Sequence, residues 1–410
     1  MQDNFNNFFI NLKKTLLIIN NKIIKKIIII IVHFLIINLI NNDQLNINEI
    51  RNFMNINLNG NLIDSNLKFN KSLNPQISVI ISIYNGEPFL KTALRSIQNQ
   101  DFKNIEIIMV DDHSKDNSVK LARELMKEDP RIILLQNNEN KGALYTKTKG
   151  VLNSKGNYVL TLDVDDLYTS RKAFSILYSK AEKENLDLLG FSIIISYKNL
   201  NIKSLIFHHK WRTPVLFQPK VSYMMYKFGN DGKPKRVGDV ISGYFMKTKL
   251  FVDSIKDIGD YFLNKNIIRN DDLFCFFMMS RKAKNLKQIK NPLYLVLLRE
   301  KGNNTLINYH EIEKTKAHKK NGCLSYLYYV EFLLKKTDNC FKDKLIASIE
   351  LENWYLNNSC RNDSFSKQQG ILICKLFLEN QYIDKNIKRH IKKFFEEINN
   401  NTQKKKEIST

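Results

Sequence analysis

The sequence predicts an α/β fold with an open, mostly parallel sheet flanked by helices, and two patterns carry that prediction. The first is a continuous run of β-branched and apolar residues, QISVIISIY at 76–84, which is typical of a strand buried on both faces. The second is alternation, because apolar residues at helical spacing follow this run and strand-like runs recur at 105–110, 131–135 and 158–162. Strands and helices joined by short connections favour βαβ units.

The later part of the chain changes character. From 191 to 310 the alternation is less regular, with strand-like stretches at 189–196, 239–246 and 292–298. From 311 to 398 the apolar spacing predicts a helical C-terminal region, and the polar end, 399–410, is expected to be disordered.

The amino-terminal segment carries an uncharged apolar run at 27–40 behind a basic stub, residues 1–26. The run is shorter than the roughly 20 residues that span a bilayer as a helix. We interpret it as a short hydrophobic signal anchor with the stub in the cytosol, or else as a cleaved signal peptide. The Asn-rich stretch 41–75 then reads as a stalk or linker. This arrangement places the rest of the chain in the lumen of the secretory pathway, in the Golgi or ER, with a cytosol-facing arrangement left open.

The composition predicts a folded chain and argues against a nucleic-acid-binding protein. Hydrophobic residues make up 43% of the sequence, and the net charge is +23. The basic residues are spread through all segments without a stripe of interleaved aromatic residues, and no zinc-finger or RNA-binding signature is present. We therefore expect no nucleic-acid partner, whereas an anionic substrate or an anionic membrane surface is compatible with the charge.

Polar clusters follow three of the predicted strands at the point where each strand ends. They are Tyr84 and Asn85 after the first strand, Asp111 and Asp112 after the second, and Asp163, Asp165 and Asp166 after the fourth. In open α/β sheets, ligands bind in the crevice at the carboxyl ends of the strands. We therefore expect these side chains to form one ligand site rather than separate solvated turns.

The acidic cluster in YVLTLDVDDLY, residues 158–168, predicts a divalent cation. Neighbouring carboxylates raise each other's pKa unless a cation shares them. Hard oxygen ligands suit Mg²⁺ or Mn²⁺, with Asp163 and Asp165 as the metal ligands, and such ions are usually completed by substrate phosphates. The sequence contains neither a Walker loop nor G-x-G-x-x-G. A metal-bridged diphosphate without a glycine-rich loop is the chemistry of sugar-nucleotide transferases.

Four segments, in this order and spacing, resemble family 2 glycosyltransferases: ISVIISIYNGEPFL, IEIIMVDDHSKDNS, NENKGALYTKTKGVLNSKGNYVLTLDVDD and IIRNDDLFCFF. The resemblance implies a GT-A fold, which is a Rossmann-like open mixed sheet flanked by helices. It also implies a nucleoside-diphosphate-sugar donor and inverting transfer of a hexosyl or N-acetylhexosaminyl group. Residues 76–310 would be the catalytic domain, with a nucleotide-sugar half at 76–190 and an acceptor half at 191–310. The acceptor would be a glycan, a protein or a lipid.

The resemblance also assigns residues to the donor. The side chains and backbone expected to contact the nucleotide sugar are Tyr84, Asn85, Glu87, Asp111, Asp112, Gly142, Lys147, Asp163, Asp166 and Arg299. Asp111 or Asp112 would hydrogen-bond the nucleobase, which is uracil by analogy. Gly142 and Lys147 would lie near the diphosphate, although the family usually has an arginine at the second position, and a lysine cannot reproduce a bidentate guanidinium grip.

The acidic pair Asp271–Asp272 matches the family's Glu-Asp pair and would supply the general base. We expect Asp272 to take the proton of the acceptor hydroxyl while Lys147 and the metal ion stabilise the departing diphosphate. Asp271 remains an alternative base, because the family's pair is not reproduced residue for residue. A helix N-cap pair is the alternative interpretation of both carboxylates.

Three other interpretations compete with a transferase. The first is a catalytically inactive, membrane-anchored relative that only binds sugar nucleotides. The second is a receiver-like signalling domain that holds Mg²⁺ on a strand-end acidic pair, although no strand-end Lys-Pro follows at receiver spacing. The third is a phosphatase with Asp163 as nucleophile, which would require its D-x-D on the first strand and not on the fourth.

Overall fold

The computed structural model describes residues 47–66, 68–197, 205–208, 213–217, 226–228, 234–236, 241–298, 316–336, 341–356, 364–380, 383 and 385–407. The apolar run 27–40, the stub before it and Arg299 lie outside these residues. The chain divides into two compact units, residues 1–52 and 53–410. The sheet and the site described below belong to the second unit.

The first half of the chain alternates strands and helices, as its apolar periodicity predicts. The elements are α1 (Ile47–Leu58), β1 (Ile77–Ile83), α2 (Glu87–Gln98), β2 (Ile105–Asp111), α3 (Ser118–Glu128), β3 (Ile132–Gln136), α4 (Ala143–Leu152), β4 (Tyr158–Asp163), β5 (Leu167–Tyr168) and α5 (Ala173–Glu184). All residues of β2 are buried, as a continuous apolar strand with both faces covered requires.

The second half contains shorter strands and then helices. The elements are β6 (Leu188–Tyr197), β7 (Leu205–His208), β8 (Thr213–Phe217), β9 (Tyr226–Phe228), β10 (Pro234–Arg236), a 3-10 turn (Ile241–Gly243), β11 (Tyr244–Lys247), α6 (Thr248–Ile258), α7 (Asp260–Leu263), α8 (Asp271–Lys282), β12 (Asn285–Leu298), α9 (Lys316–Lys336), α10 (Phe341–Leu356), α11 (Ser364–Glu379) and α12 (Lys385–Glu407).

The main sheet is open and mixed, which confirms the predicted sheet flanked by helices. Its strand order is β3-β2-β1-β4-β11-β6-β12-β5, with β7 paired to β6 and β8 paired to β12. Strands β3, β2, β1 and β4 run parallel, and β11 runs antiparallel to both of its neighbours. In register, Ile83 lies opposite Asp111, and Ser82 lies opposite Asp163. The polar clusters after these strands therefore lie at one edge of the sheet.

Apolar side chains cover both faces of the central strands. On one face, Ile80, Ile108 and Val159 pack with residues of α4, α6, α8 and the C-terminal helices. On the other face, Val79 and Met109 pack with residues of α2, α3 and α5. The alternation of consecutive residues between two buried clusters explains the continuous β-branched runs in the sequence.

Two stretches differ from the sequence-based expectation. The Asn-rich stretch expected to be a stalk contains helix α1, whose Phe53, Met54 and Asn57 are buried at helical spacing. Helix α12 continues to Glu407, where a disordered tail was expected from residue 399, because lysine and glutamate are good helix formers and extend a helix already anchored by buried Ile391 and Phe394. Within the described residues, no helix combines the length and the apolar stretch needed to cross a bilayer.

Candidate active site

The loops that follow β1 and β4 pack directly on each other at the sheet edge. A Cβ added to Gly86 would lie 2.7 Å from a methyl group of Val164, so only glycine permits this approach. Tyr84 precedes this contact and is 51% exposed. The edge therefore presents an open aromatic side chain beside the acidic turn.

Asn85 and Glu87 are occupied by the loop after β2. Asn85 has a φ of 51°, and its side-chain oxygen accepts from the backbone N–H of Lys115 at 2.8 Å. The Glu87 carboxylate accepts from the backbone N–H of Asn117 at 3.1 Å and from the Asn117 side chain at 3.0 Å. Of the three residues predicted to contact the donor after β1, Tyr84 is thus open to a ligand, whereas the side chains of Asn85 and Glu87 shape the neighbouring loop.

Asp111 and Asp112 are both buried, but their oxygens are used differently. The Asp112 carboxylate accepts from Asn137 at 2.9 Å and from the backbone N–H groups of Lys141 at 2.7 Å and Gly142 at 2.9 Å. Asp111 accepts from the Ser114 N–H at 3.2 Å through one oxygen, and its other oxygen is buried without a hydrogen-bond partner among the described residues. A buried acceptor without a donor is costly, so Asp111 is the member of the pair that can bind a ligand donor.

Gly142 brings helix α4 against the segment before α8. It has a φ of 87°, and an added Cβ would lie 2.6 Å from the Ile267 carbonyl oxygen. That same oxygen accepts from the Leu144 N–H at 3.2 Å. The close approach places Lys147, one turn along α4, beside the start of α8. Gly142, which was predicted to lie near the diphosphate, therefore has a structural role.

Lys147 joins the acids of two distant segments. Its Nζ donates to Asp271 at 2.7 Å and to Asp272 at 3.0 Å, and it lies 3.8 Å from an oxygen of Asp163. The lysine side chain is 3% exposed. Burial alone would lower the pKa of Lys147, but the three carboxylates outweigh burial and raise this pKa well above its ordinary value. The lysine is therefore charged throughout the physiological range.

Asp272 lies in a buried environment with other negative charges close to it. Burial, together with the negative charges of Asp271 and Asp163, raises its pKa to about 8 against the opposing effect of Lys147. Its second oxygen accepts from the backbone N–H of Ile241 at 3.2 Å. Helix α8 begins at Asp271 after Asn270, so the two acids are the first residues of the helix and not its N-cap. A carboxylate with a pKa near the working pH suits general base catalysis.

The three acids after β4 have different environments. The turn is closed by a hydrogen bond from the Asp166 N–H to the Asp163 carbonyl at 2.9 Å. Asp166 is buried and accepts from the hydroxyl of Tyr294 at 2.8 Å, whereas the Asp163 side chain is 46% exposed. Asp165 is half-buried. Asp163 therefore faces the open edge, and Asp166 faces the protein.

The donor set fits the predicted Mg²⁺ or Mn²⁺ only if the substrate completes it. Carboxylates such as those of Asp163 and Asp165 are the hard oxygen ligands that these ions prefer. In the part of the chain that the structure describes, no three His, Cys, Asp or Glu side chains gather closely enough to hold a metal by themselves. The site suits an ion that takes its remaining ligands from phosphates and water.

The sequence-based prediction missed several residues that organise this site. Tyr294 in β12, Ile241 in the 3-10 turn and Asn137 after β3 each contact a predicted acid. Tyr294 lies within a run identified only as a strand, and nothing in its local sequence marks it. Arg299, predicted to contact the donor, lies outside the described residues.

Comparisons with known proteins show which family the chain is similar to. Residues 78–253 match the family model described as glycosyl transferase family 2. The chain is 38% identical over 128 residues to the GalNAc(5)-diNAcBac-PP-undecaprenol beta-1,3-glucosyltransferase of Campylobacter jejuni, covering 31% of this chain and 41% of that protein. It is 34% identical over 113 residues to the glycosyltransferase GlyG of Streptococcus pneumoniae, covering 28% of this chain and 37% of that protein. The chain thus spans less than half the length of either relative.

The fold is similar to that of a solved structure. The crystal structure of S. aureus TarS 1-349 in complex with UDP-GlcNAc superposes with a TM-score of 0.51 at 15% identity, covering 79% of this chain and 89% of that chain. This similarity supports a GT-A architecture for the sheet and its flanking helices.

Proposed function

We propose that this chain transfers a hexosyl or N-acetylhexosaminyl group from a uridine-diphosphate sugar to an acceptor hydroxyl, with inversion at the anomeric carbon. The match of residues 78–253 to the model of glycosyl transferase family 2 supports this proposal. The observation that carries the proposal is the position of Lys147. Its ammonium group pairs with Asp271 and Asp272 and lies 3.8 Å from Asp163. One cation thus links the acids expected at the donor with those expected at the acceptor.

The unpartnered oxygen of Asp111 supports a nucleobase subsite. It lies at the carboxyl end of β2, buried and without a donor among the described residues. The N3–H of uracil is a donor that such an oxygen accepts, whereas cytosine carries no proton at that nitrogen. The half-exposed Tyr84 at the end of β1 offers a ring against which the base or ribose can pack.

The diphosphate would bind beside Asp163 and Lys147, at the open edge of the site. A divalent ion held by Asp163 and Asp165 would neutralise charge on the leaving phosphate when bound. Lys147 supplies a fixed positive charge in the same place, and because the lysine is buried its field acts with little screening by water. The diphosphate would then compete with the Asp271 and Asp272 carboxylates for this ammonium group.

Asp272 would act as the general base. The acceptor hydroxyl gives its proton to the Asp272 carboxylate, its oxygen forms a bond to the anomeric carbon, and the bond from that carbon to the diphosphate oxygen breaks on the opposite face. The electron pair of the broken bond leaves with the diphosphate. The raised pKa of Asp272 makes it a stronger base than an ordinary aspartate.

The acceptor is proposed only by class. The first relative is named for action on an undecaprenol-linked glycan, and a glycan hydroxyl on such a lipid carrier is one candidate besides a protein or a free glycan. We also propose that the apolar residues 27–40 hold the enzyme at a membrane, which would keep it close to a lipid-linked acceptor.

A turnover assay tests the proposal. The full-length protein is incubated with a panel of UDP-sugars, Mn²⁺ and lipid-linked or free glycan acceptors, and released UDP is measured. We expect UDP release with one donor, abolished in the Asp163→Asn/Asp165→Asn protein. Absence of release with every donor, combined with tight metal-dependent UDP binding, would favour the inactive relative. Absence of both release and binding would refute the proposal.

A further inference from the structure

Tyr294 lies under the acidic turn although it is far from it in sequence. It belongs to β12, which pairs antiparallel with β5, and in register it lies opposite Tyr168. Both rings are 0% exposed and meet edge to face, with centroids 5.8 Å apart. The pairing of β12 with β5 therefore places a tyrosine hydroxyl beneath the turn that follows β4.

The hydroxyl of Tyr294 uses both its donor and its acceptor capacity at that turn. It donates to Asp166 at 2.8 Å and accepts from the backbone N–H of Asp163 at 3.2 Å. The Ser242 side chain is a further polar neighbour of this hydroxyl. Since the Asp166 N–H donates to the Asp163 carbonyl at 2.9 Å, one hydroxyl holds both ends of a closed turn.

We propose that Tyr294 is a positioning residue that holds the Asp163–Asp166 turn so that Asp163 and Asp165 face the donor diphosphate. This inference rests on the proposed function, because it assigns a conformation to the same donor site. The turn itself contains Val164 as its only apolar residue. The backbone hydrogen bond and the two bonds of Tyr294 help to fix its geometry, together with the packing of Val164 against Gly86.

The same hydroxyl is linked to the segment that holds Asp272. Ser242, a polar neighbour of the Tyr294 hydroxyl, follows Ile241, whose N–H donates to Asp272 at 3.2 Å. The 3-10 turn thus contacts Tyr294 through Ser242 and the proposed base, Asp272, through Ile241. Loss of the Tyr294 hydroxyl should affect the Asp163–Asp166 turn more than Asp272, because the hydroxyl is hydrogen-bonded directly to that turn.

Tyr168 provides a matched control for Tyr294. Its ring is equally buried and adjacent, but its hydroxyl has no hydrogen-bond partner among the described residues. Tyr294→Phe and Tyr168→Phe therefore remove the same atom from neighbouring rings. Only the first removes hydrogen bonds to the turn.

The test measures UDP binding by calorimetry, with and without Mn²⁺, for the wild type and both variants. We expect Tyr294→Phe to weaken Mn²⁺-dependent UDP binding roughly 10- to 100-fold, the range for loss of a hydrogen bond to a charged group. Tyr168→Phe should stay within about twofold of the wild type, because its hydroxyl makes no bond. In turnover, the Tyr294 variant should raise the donor KM more than it lowers kcat.

The outcomes separate this inference from the proposed function. If the wild type binds UDP and Tyr294→Phe binds it equally well, the positioning role is overturned while the proposed function stands. If the wild type does not bind UDP, the proposed function itself is contradicted. If Tyr294→Phe does not give a cooperative melting transition, Asp166→Ala removes the carboxylate to which this hydroxyl donates, and unchanged UDP affinity in that variant would overturn the role.

Discussion

Two Asp-Asp pairs lie in this site, and the structure uses them in opposite ways. In the pair after β2, Asp112 is satisfied by backbone and amide N–H groups, and Asp111 keeps a buried oxygen without a partner among the described residues. In the pair that begins α8, both carboxylates share the single ammonium group of Lys147. The donors that face each carboxylate, and not the dipeptide itself, decide its role.

The two pairs also differ in the groups that face them, because uncharged N–H groups face the first pair and a cation faces the second. The first pair is held by N–H groups of the loop after β2 and of the segment between β3 and α4. These dipoles stabilise a carboxylate without a formal counter-charge. The second pair depends on a cation from a different helix, so its charge state changes if that cation is removed or attracted to a ligand. The first pair therefore suits recognition of a neutral base, and the second suits proton transfer.

The largest expected effect is the loss of turnover in Asp272→Asn. We expect kcat to fall about 10²- to 10⁴-fold, the usual contribution of a general base, while UDP affinity stays near that of the wild type. UDP release under saturating donor measures the change. Asp271→Asn is the matched control, and a larger loss in that variant would move the base to Asp271.

Replacement of Lys147 should cost stability. Lys147→Met leaves Asp271, Asp272 and Asp163 without their shared cation, and we expect the free energy of unfolding to fall by about 3 kcal/mol at pH 7. Urea denaturation measures it. Lys147→Arg keeps the positive charge, so its free energy of unfolding should fall by less. An unchanged unfolding midpoint in Lys147→Met would show that the ion pairs contribute nothing.

Substitutions of the two residues of the first pair should have different effects, with Asp112 affecting stability and Asp111 affecting UDP binding. Asp112→Asn should lower the free energy of unfolding by about 1–3 kcal/mol, because its N–H donors lose a charged acceptor. Asp111→Asn should leave the melting temperature nearly unchanged and weaken UDP binding about tenfold. Thermal melting and calorimetry on both proteins test this, and the reverse pattern would exchange the roles of the two residues.

A pH dependence set by Asp272, whose pKa is raised to about 8, is also expected. The base form dominates above that value, so kcat/KM should rise roughly tenfold per pH unit up to about pH 8 and then level off. Since the folded state keeps a proton that the unfolded chain releases above its ordinary pKa of 3.8, this group's contribution to stability falls as pH rises between these values. A flat kcat/KM profile from pH 6 to 9 would contradict the assignment.

The parallel half of the fold could be predicted from sequence because its signals are local. The β-branched runs of β1 and β2 and the helical spacing between them fix strand and helix without knowledge of distant contacts. The positions of Asp111 and Asp163 at strand ends follow from the same runs. A parallel arrangement then brings both residues to one edge.

The contacts that give these residues their roles are non-local, and the sequence does not contain a local signal for them. Lys147 was expected at the diphosphate, but its partners Asp271 and Asp272 lie 124 and 125 residues away. Tyr294 reaches Asp166 only because β12 pairs with β5. Irregular register in β12, with shifts between Gln288 and Tyr294, could not be read from apolar alternation.

Calorimetric titration of the full-length protein with UDP, with and without Mn²⁺, tests the central claim most directly. We expect UDP to bind only when Mn²⁺ is present, and this binding to disappear in the Asp163→Asn/Asp165→Asn protein while its melting temperature stays close to that of the wild type. Equal UDP binding by the wild type and this variant, or no binding of UDP, GDP or dTDP with any divalent ion, would contradict the claim that this edge of the sheet is a nucleotide-sugar site.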